Sequence, residues 1–352
     1  MTTGQSIHLS AGRDTSCCHD ESRTHRPHLF PGLATVLALA LGALPAFPVP
    51  RPAEETIIGG KAYVRVMDWA RSHDLEMHWL KRDETLEMNN HSSRLTLEVD
   101  SREAELNGVK VWLSLPVVER NGGAYLAQLD LRTTIQPLLW PRKGRPGAGV
   151  RLVCLDPGHG GNDPGYCVGS RQEKKYTLLL AQQLRDQLGN AGLKVMLTRT
   201  RDKRVELSAR PELAKQRNAD LFISLHFNAV ATSASSVEGA EVYCMTPPGA
   251  ASTNARGEGS GTGVMTGNRY NDENLLLAYS VQKALAHSGV AERGVKRARF
   301  EVLREAGLPA ILIEAGFLSH PVEGRRIADA AYRRRLAQAI CDGVMAYKRA
   351  VE

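Results

Sequence analysis

The segment DLFISLH, from Asp220 to His226, is an apolar run that ends in a histidine. A continuous apolar run of this length is typical of a β-strand that is buried on both faces of a sheet. Comparable short runs recur from residue 150 onward, and stretches with helical spacing separate them. This alternation predicts an α/β fold, with a mostly parallel, twisted sheet covered by helices on both faces.

The individual elements of this half follow from the same patterns. Leu180, Leu184 and Leu188 recur every four residues, as on the buried face of a helix. Residues 246–272 are rich in glycine, serine, threonine and asparagine, which predicts a loop. The predicted strands are 150–155, 194–198, 220–226, 239–244 and 309–313, and the predicted helices are 175–188, 211–216, 275–286 and 322–348.

A second region is set apart by its boundaries. Proline-rich segments at 48–56 and 141–149 bracket residues 57–140, where apolar and polar residues alternate in short runs, as they do in strands. The sequence therefore predicts a small α+β accessory domain at 57–140, ahead of a larger domain at 150–352. The predicted elements are a helix at 63–75, strands within 93–101, 102–114 and 124–131, and tight turns at Asn107-Gly108 and Asn121-Gly122.

Residues 1–50 form an N-terminal extension with the order of a secretion signal. Arg23 and Arg26 precede an apolar run from Leu29 to Phe47, and small residues near the end of that run offer cleavage positions. The alternative is an uncleaved membrane anchor, although the run is near the lower length limit for a bilayer helix. Both alternatives predict an exported protein that works in the periplasm or outside the cell.

The cysteines argue against one class of metal site. Cys17 and Cys18 would be lost with a cleaved signal, and the remaining four have no CxxC spacing, so a cysteine zinc site is not predicted. An exported protein could oxidise a pair of the four, and the sequence does not say which pair. The remaining cysteines are Cys154, Cys167, Cys244 and Cys341.

The charge balance bears on the partners of the chain. The 352 residues carry a formal net charge of +7, which makes an acidic polymer or an anionic surface a plausible neighbour. Aromatic residues make up only 5%, and no block of lysine and arginine has aromatics interleaved with it. A solvated basic face is therefore expected, and no nucleic-acid partner is predicted.

Chemistry-bearing side chains follow several of the predicted core strands. His159 lies in the glycine-rich segment LDPGHGGNDPG after the first strand, His226 ends the third, and Glu314 ends the last. Because the carboxyl ends of parallel strands meet at one edge of a sheet, these side chains are expected to lie together. Glu173 opens the helix after the glycine-rich loop, whose glycines allow the chain to fold back over the same edge.

This group has the chemistry of a catalytic metal site. Two imidazoles and a carboxylate with an open position form the ligand set of catalytic zinc, and imidazole nitrogen suits zinc better than magnesium or calcium. Glu314 is the candidate for moving the proton of an attacking water molecule. Each residue alone would more often be structural, and their joint placement favours the metal site. His287 and His320 are expected at the surface or in helix caps, and Glu241 in a strand near the site.

The same segments carry a family resemblance over residues 150–350. LDPGHGGNDPG, Glu173-Lys174, NADLFISLHFNA, GAEVY and LPAILIEAGFLS occur in the order found in zinc-dependent N-acetylmuramoyl-L-alanine amidases of the type 3 group. The resemblance implies an α/β fold and cleavage of the amide between N-acetylmuramic acid and L-alanine in peptidoglycan. It places one zinc ion on His159, Glu173 and His226, makes Glu314 the catalytic carboxylate, and lets Asn228 orient the substrate or the metal ligands.

Other features of the chain qualify this resemblance. His320 stands where the family often has asparagine, beyond the catalytic position. Some relatives carry a helix that blocks the zinc until a partner removes it, whereas residues 246–272 here are too glycine-rich for such a plug; any activating partner is left unidentified. Residues 57–140 resemble the small domain named from copper amine oxidase N-termini, which recurs beside cell-wall enzymes, and the copper is not carried over.

Two further functions stay open at this point. One is a wall-binding protein whose amidase-like domain no longer turns over its substrate. The other is a different zinc hydrolase, such as a peptidase or a deacetylase, although the chain has no HExxH motif.

Overall fold

The computed structural model describes residues 54–144, 149–232, 234–253 and 263–352. The predicted signal or anchor at 1–50 therefore lies outside the described residues, as does part of the predicted loop at 246–272. Residues 50–352 form one compact unit. In the described ranges, no helix combines the length and the apolar character that a membrane span requires.

The first part of this unit, residues 54–140, is built mainly of antiparallel hairpins. Among themselves, these strands pair with close sequence neighbours, except that β2 also pairs with the distant β9. The elements are β1 (Glu55–Ile58), β2 (Lys61–Arg65), α1 (Val66–Ser72), β3 (Glu76–Lys81), β4 (Thr85–Asn89), β5 (Arg94–Glu98), β6 (Glu103–Leu106), β7 (Val109–Trp112), β8 (Val118–Arg120), β9 (Gly123–Ala127), α2 (Gln128–Asp130), a π-helical turn (Leu131–Ile135) and α3 (Gln136–Leu139).

The hairpin turns of this part were predicted more accurately than its helices. Asn107 and Gly108 have φ angles of 49° and 80°, so both residues lie in the left-handed region that a type I′ turn requires, and the predicted turn is confirmed. The helix predicted over 63–75 begins only at Val66, because Tyr63 to Arg65 pair with β9 instead. The strand predicted to residue 131 ends at Ala127, where the helical segment starts.

The second part of the unit alternates strands and helices. The elements are β10 (Leu152–Pro157), β11 (Cys167–Val168), β12 (Arg171–Gln172), α4 (Glu173–Asn190), β13 (Lys194–Leu197), α5 (Ala209–Gln216), β14 (Leu221–Asn228), a 3₁₀ turn (Ala234–Ser236), β15 (Ala240–Met245), a second 3₁₀ turn (Thr266–Tyr270), α6 (Asn271–His287), β16 (Glu292–Ala298), α7 (Glu301–Arg304), β17 (Ala310–Phe317), α8 (Glu323–Ala328) and α9 (Ala330–Val351).

The strand order confirms the predicted α/β class. The order across the sheet is β13-β10-β14-β17-β15-β16, and the first four strands are parallel to one another. β15 runs antiparallel to β17, and β16 runs parallel to β15. The carboxyl ends of β10, β14 and β17 therefore share one edge, here called the carboxyl edge. The carboxyl end of β15 lies at the other edge, here called the amino edge.

Helices cover both faces of this sheet, and each face has its own core. Along β14, Ile223 and Leu225 pack into the larger core with α4, α6 and α9, whereas Phe222, which points to the opposite face, packs into the smaller core with α5 and α7. These side chains are 0% exposed. Burial on both faces is the reason that the segment carries an uninterrupted apolar run.

The two parts of the unit share one sheet. β7 pairs with β16 at Val111 and Val295, so the hairpins β3 to β7 extend the same sheet to 11 strands. The buried Arg297 on β16 donates hydrogen bonds to the carbonyl oxygens of Thr133 (2.7 Å) and Met245 (3.3 Å). The domain boundaries predicted at 57–140 and 150–352 stay a prediction. The structure shows that strands from both ranges belong to one sheet.

The helix predicted over 322–348 is wrong as one continuous element. The chain forms α8, breaks at Asp329 with an extended ψ of 131°, and starts again as α9. The Asp329 side chain accepts a hydrogen bond from the backbone N–H of Tyr332 (2.8 Å), which caps α9. Local capping therefore outweighs the continuous helical spacing of the segment.

Candidate metal centre

Three of the predicted site residues converge at the carboxyl edge. The ligand atoms of His159, Glu173 and His226 all lie within 4.8 Å of one another. Glu173 Oε1 is 3.1 Å from Nε2 of His159 and 3.0 Å from Nδ1 of His226. The two imidazole rings meet edge to face, with centroids 4.9 Å apart. The group could hold a metal ion, as its sequence pattern predicted.

The glycines around His159 make this approach possible. His159 itself has a φ of 61°, in the left-handed region that few non-glycine residues adopt, and such strain is concentrated at functional sites. A Cβ atom on Gly158 would lie 2.2 Å from Cε1 of His226, and one on Gly165 would lie 2.6 Å from Oε2 of Glu173. The loop therefore carries glycine where its backbone passes directly against the site.

Two buried arginines hold the backbone of this loop. Arg199 donates hydrogen bonds to the carbonyl oxygens of Pro157 (2.9 Å) and Gly158 (2.8 Å). Arg210 donates to Oδ1 of the buried Asp156 (2.9 Å) and to the carbonyl oxygen of His159 (3.2 Å). Burial lowers the pKa of Arg199. No sequence pattern predicts these roles, since the partners of both arginines are distant along the chain.

Further hydrogen bonds fix the candidate ligands themselves. Nδ1 of His159 lies 2.9 Å from Oδ2 of Asp163, which leaves Nε2 turned toward Glu173. Glu173 also accepts hydrogen bonds from the backbone N–H groups of Tyr166 (3.0 Å) and Phe227 (3.2 Å). A carboxylate behind a histidine ligand is the usual partner that sets its ring orientation. The sequence pattern did not predict this role for Asp163. The feature that could have indicated it is the position of Asp163 four residues after His159 in the same loop.

The electrostatics of the three groups are strongly coupled. Burial alone would raise the pKa of Glu173, but hydrogen bonds from His159 and His226 outweigh it and lower that pKa. Burial would lower the pKa of His159, and the hydrogen bonds and charges of Glu173 and Asp163 raise it instead. Both histidine side chains keep about a fifth of their surface exposed, at 23% and 20%. The group is therefore compact and open to a ligand.

Glu314 lies beside this group in the sheet. Its Cα is in register with His226 on β14 and with Glu241 on β15. Its Oε2 atom is shielded from solvent and has no hydrogen-bond partner among the described residues. Burial, with smaller contributions from the charges of Glu173 and Glu241, raises the pKa of Glu314 well above its usual range. A buried carboxyl oxygen without a hydrogen bond costs folding free energy, so its presence here indicates a functional role for Glu314.

Asn228 belongs to a second buried cluster around Glu241. The amide nitrogen of Asn228 donates to Oε1 of Glu241 (2.8 Å), and Tyr243 donates to the same oxygen (2.7 Å). Oε2 of Glu241 pairs with Lys296 (2.5 Å) and Arg293 (3.1 Å). Burial opposes ionisation of Glu241, but Lys296 and its neighbours lower the pKa. Glu241 therefore lies near the site, as expected, and holds Asn228 in place.

Other expected features lie apart from the metal centre. His287 is exposed, as predicted. His320 is only 8% exposed, so a surface position is wrong, but its Nδ1 accepts a hydrogen bond from the N–H of Glu323 and the capping role is confirmed. The four cysteines of the described part are free, which leaves the suggested disulfide without support. The described stretches of 246–265 contain no α-helix.

Comparison with known proteins identifies two families that match the chain. The family described as N-acetylmuramoyl-L-alanine amidase matches residues 153–346, which is more than half of the chain, and the family described as copper amine oxidase N-terminal domain matches residues 49–133. The N-acetylmuramoyl-L-alanine amidase AmiC of Neisseria meningitidis is 34% identical over 64% of this chain and 58% of its own length. The chain therefore spans less than two thirds of that relative.

Other relatives are covered more fully. The N-acetylmuramoyl-L-alanine amidase AmiA of Escherichia coli is 30% identical over 58% of this chain and 78% of its own length. Among solved structures, the amidase AmiC2 of Nostoc punctiforme is 32% identical, covers 58% of this chain and 99% of its own, and has a TM-score of 0.48. The CwlD amidase from Clostridioides difficile, solved in complex with the GerS lipoprotein, is 26% identical over 56% and 98% of the two chains, with a TM-score of 0.47.

Proposed function

The chain belongs to the N-acetylmuramoyl-L-alanine amidase family, and we propose that it hydrolyses the amide bond between N-acetylmuramic acid and L-alanine in peptidoglycan. The observation that carries the proposal is the convergence of His159, Glu173 and His226 beside a buried oxygen of Glu314 that has no hydrogen-bond partner in the described ranges. Amide hydrolysis needs an electrophile for the carbonyl and a group that moves a proton, and this arrangement offers a place for both.

The donor set fits one zinc ion. Nε2 of His159, Nδ1 of His226 and a carboxylate oxygen of Glu173 are the protein ligands, and Asp163 supports the ring orientation of His159. A zinc ion bound there would polarise the scissile carbonyl and lower the pKa of a water molecule toward about 7. The strained loop and its buried arginines keep the ligand atoms close together in advance.

Glu314 is the proposed general base and general acid. A zinc ion bound nearby would favour the ionised form of Glu314. Its Oε2 atom has no partner among the described residues, so the ionised carboxylate is free to accept the proton of the attacking water molecule. It then donates that proton to the nitrogen of the leaving L-alanine. Because Glu314 lies in register with His226 inside the sheet, the backbone fixes its distance from the ligands.

Asn228 is the proposed positioning residue. It follows His226 by two residues across the irregularity in the β14–β17 pairing, which turns it toward Glu241. With its nitrogen engaged by Glu241 and its oxygen accepting the N–H of Ala229 (2.8 Å), its amide has a fixed orientation beside the site. The charges of Lys296 and Arg293 hold Glu241 in this cluster, and we propose that this keeps it from competing as a metal ligand.

The location of the protein is also proposed. A peptidoglycan amidase must be exported to meet its substrate, which agrees with the signal or anchor predicted at 1–50 and with a periplasmic or extracellular site of action. Residues 57–140 are proposed as an accessory part that helps place the catalytic part, residues 150–352, on the wall.

The Glu314→Gln variant tests the proposed chemistry. It keeps the shape of the side chain and removes its ability to exchange a proton, so we expect bound zinc to be retained while peptidoglycan hydrolysis falls by about 10²-fold or more. Glu305→Gln, an exposed carboxylate in the loop before β17, is the matched control and should hydrolyse normally. Retained hydrolysis in Glu314→Gln would contradict the role given to this residue.

A further inference from the structure

A cleft of about 650 Å³ lies at the amino edge, between the helical segment at 128–140 and the start of α6. β15 runs antiparallel to β17, so the end of β15 and the beginning of α6 lie away from Glu314. The 17 residues of α6 correspond to a length of about 25 Å, and they lead back toward the carboxyl edge. The cleft is therefore separate from the metal centre.

An aromatic stack forms one side of the cleft. The buried Trp69 stacks on His73, with centroids 4.4 Å apart, and His73 stacks on Trp140 at 5.3 Å with an interplanar angle of 28°. Trp140 is 41% exposed. The indole is thus supported from behind and presents apolar surface to the cleft. Such a platform suits the apolar face of a pyranose ring, because tryptophan buries a large area at little cost in side-chain entropy.

Charged side chains line the rest of the cleft. The side chains that carry positive charge are exposed, and their guanidinium groups make no hydrogen bond or ion pair with another residue of the described ranges. They belong to Arg132, Arg142 and Arg269. A guanidinium binds a carboxylate through two parallel hydrogen bonds. Asp272 and Glu273 also line the cleft, where they would repel a phosphodiester polymer and could accept hydrogen bonds from sugar hydroxyls.

We propose that this cleft binds carboxylate-bearing glycan of the cell wall, with a sugar ring on Trp140 and carboxylates on the arginines. The identity of the polymer rests on the proposed function, whereas the chemistry of the cleft does not. Wall carboxylates have two sources, the stem peptides of intact peptidoglycan and the lactyl groups that amidase action sets free. Binding here would keep the chain on the wall while the metal centre at the other edge acts.

Equilibrium binding to defined glycans tests this proposal. The full-length chain with Glu314→Gln is titrated with muropeptides that keep their stem peptides, with glycan strands that carry free lactyl groups, with neutral chitooligosaccharide and with single-stranded DNA. Arg132→Gln/Arg269→Gln should weaken binding of the acidic glycans about tenfold, or about 1.4 kcal/mol, and leave chitooligosaccharide binding unchanged. The acidic glycan that loses more affinity identifies the source of the carboxylates.

Two further variants control the result. Trp140→Ala should weaken all three glycans, whereas Arg82→Gln/Arg120→Gln, which removes two exposed arginines outside the cleft, should change none of them. The arginine pair at 132 and 269 keeps the test valid even if Trp140→Ala fails to fold, because it removes only exposed groups. Unchanged binding in both cleft variants, equal weakening in the control, or tighter binding of DNA than of glycan would overturn the proposal.

A separate assay keeps the two proposals apart. Chains with Glu314 intact and the cleft arginines replaced should hydrolyse a small soluble muropeptide at the normal rate and intact wall more slowly. If the unmodified chain hydrolyses nothing, the proposed amidase function fails while the binding result still decides the cleft. If hydrolysis of wall and of soluble muropeptide are both unaffected, the cleft has no part in holding the wall.

Discussion

At the carboxyl edge of the sheet, His159, Glu173 and His226 are held by one another and by buried neighbours. At the amino edge, the side chains of Arg132 and Arg269 line an open cleft and have no partner in the part of the chain that the structure describes. The first arrangement suits chemistry, because atoms that must act on one bond need fixed positions before the substrate arrives. The second suits attachment, because exposed groups can adjust to a variable polymer. The difference teaches that opposite edges of one sheet can serve separate roles, with hydrolysis proposed at the carboxyl edge and wall binding at the amino edge.

The largest expected effect comes from adding one methyl group at the carboxyl edge. Gly158→Ala would place a Cβ atom 2.2 Å from the ring of His226, which forces that ligand out of position. Misplacement of a catalytic group by about 1 Å can cost about 10²-fold in rate, so we expect at least that loss in kcat/KM together with weaker zinc binding. Wild-type activity in Gly158→Ala would show that the edge is not rigid.

The connection between the two parts of the unit is the next test. Arg297→Ala removes a buried guanidinium together with its hydrogen bonds to the carbonyl oxygens of Thr133 and Met245. We expect the free energy of unfolding to fall by about 2–3 kcal/mol, measured by chemical denaturation. Arg185→Ala, an exposed residue on α4 beside Asp186, should change it by less than about 0.5 kcal/mol. Equal effects in the two variants would mean that the parts are energetically independent.

Asp163→Asn examines the support of a single ligand. The amide keeps the size of the side chain but no longer holds Nδ1 of His159 with a negative charge. Loss of such a partner typically costs about 10- to 100-fold in metal affinity, and we expect that range in a zinc competition titration. An unchanged affinity would show that the glycine-rich loop orients the ring without Asp163.

The smallest effect is expected where a glycine has room. Gly189 lies in α4, and apart from its chain neighbours and the backbone of its own helix, no described atom lies within 4 Å of an added Cβ. Gly189→Ala should leave the hydrolysis rate unchanged and stabilise the fold by about 0.5–1 kcal/mol, because alanine loses less backbone entropy in a helix. It is therefore the matched control for Gly158→Ala, and a fall in activity there would show that glycine substitution affects this protein in a general way.

Prediction from sequence succeeded where the signal is local. His226 and Glu314 follow or end apolar runs, and the alternation of those runs with helical spacing is sufficient to place them at one edge of a parallel sheet. His159 could be added because glycine and proline mark its loop. The strand β16 was missed because its segment ERGVKRA is rich in charge, and the structure buries Lys296 and Arg297 by pairing them with Glu241 and with backbone carbonyls.

Non-local partners explain the other omissions. Arg199 and Arg210 contact residues of β10 and its following loop that are 41 to 54 positions away, and nothing in the segments of the two arginines marks those residues as partners. In the first part of the chain, the pairing of β2 with β9 decides that Tyr63 to Arg65 are strand rather than helix. The cleft could not be predicted either, since it brings Trp140 and Arg269 together from two distant segments.

Release of new L-alanine amino termini from purified peptidoglycan by the full-length chain is the most direct test of the amidase proposal. The account predicts release that stops when a chelator removes zinc, returns when zinc is added back, and is absent in Glu314→Gln. Release that persists in a zinc-free protein would contradict the metal centre. No release from a chain that holds stoichiometric zinc on His159, Glu173 and His226 would contradict the amidase function itself.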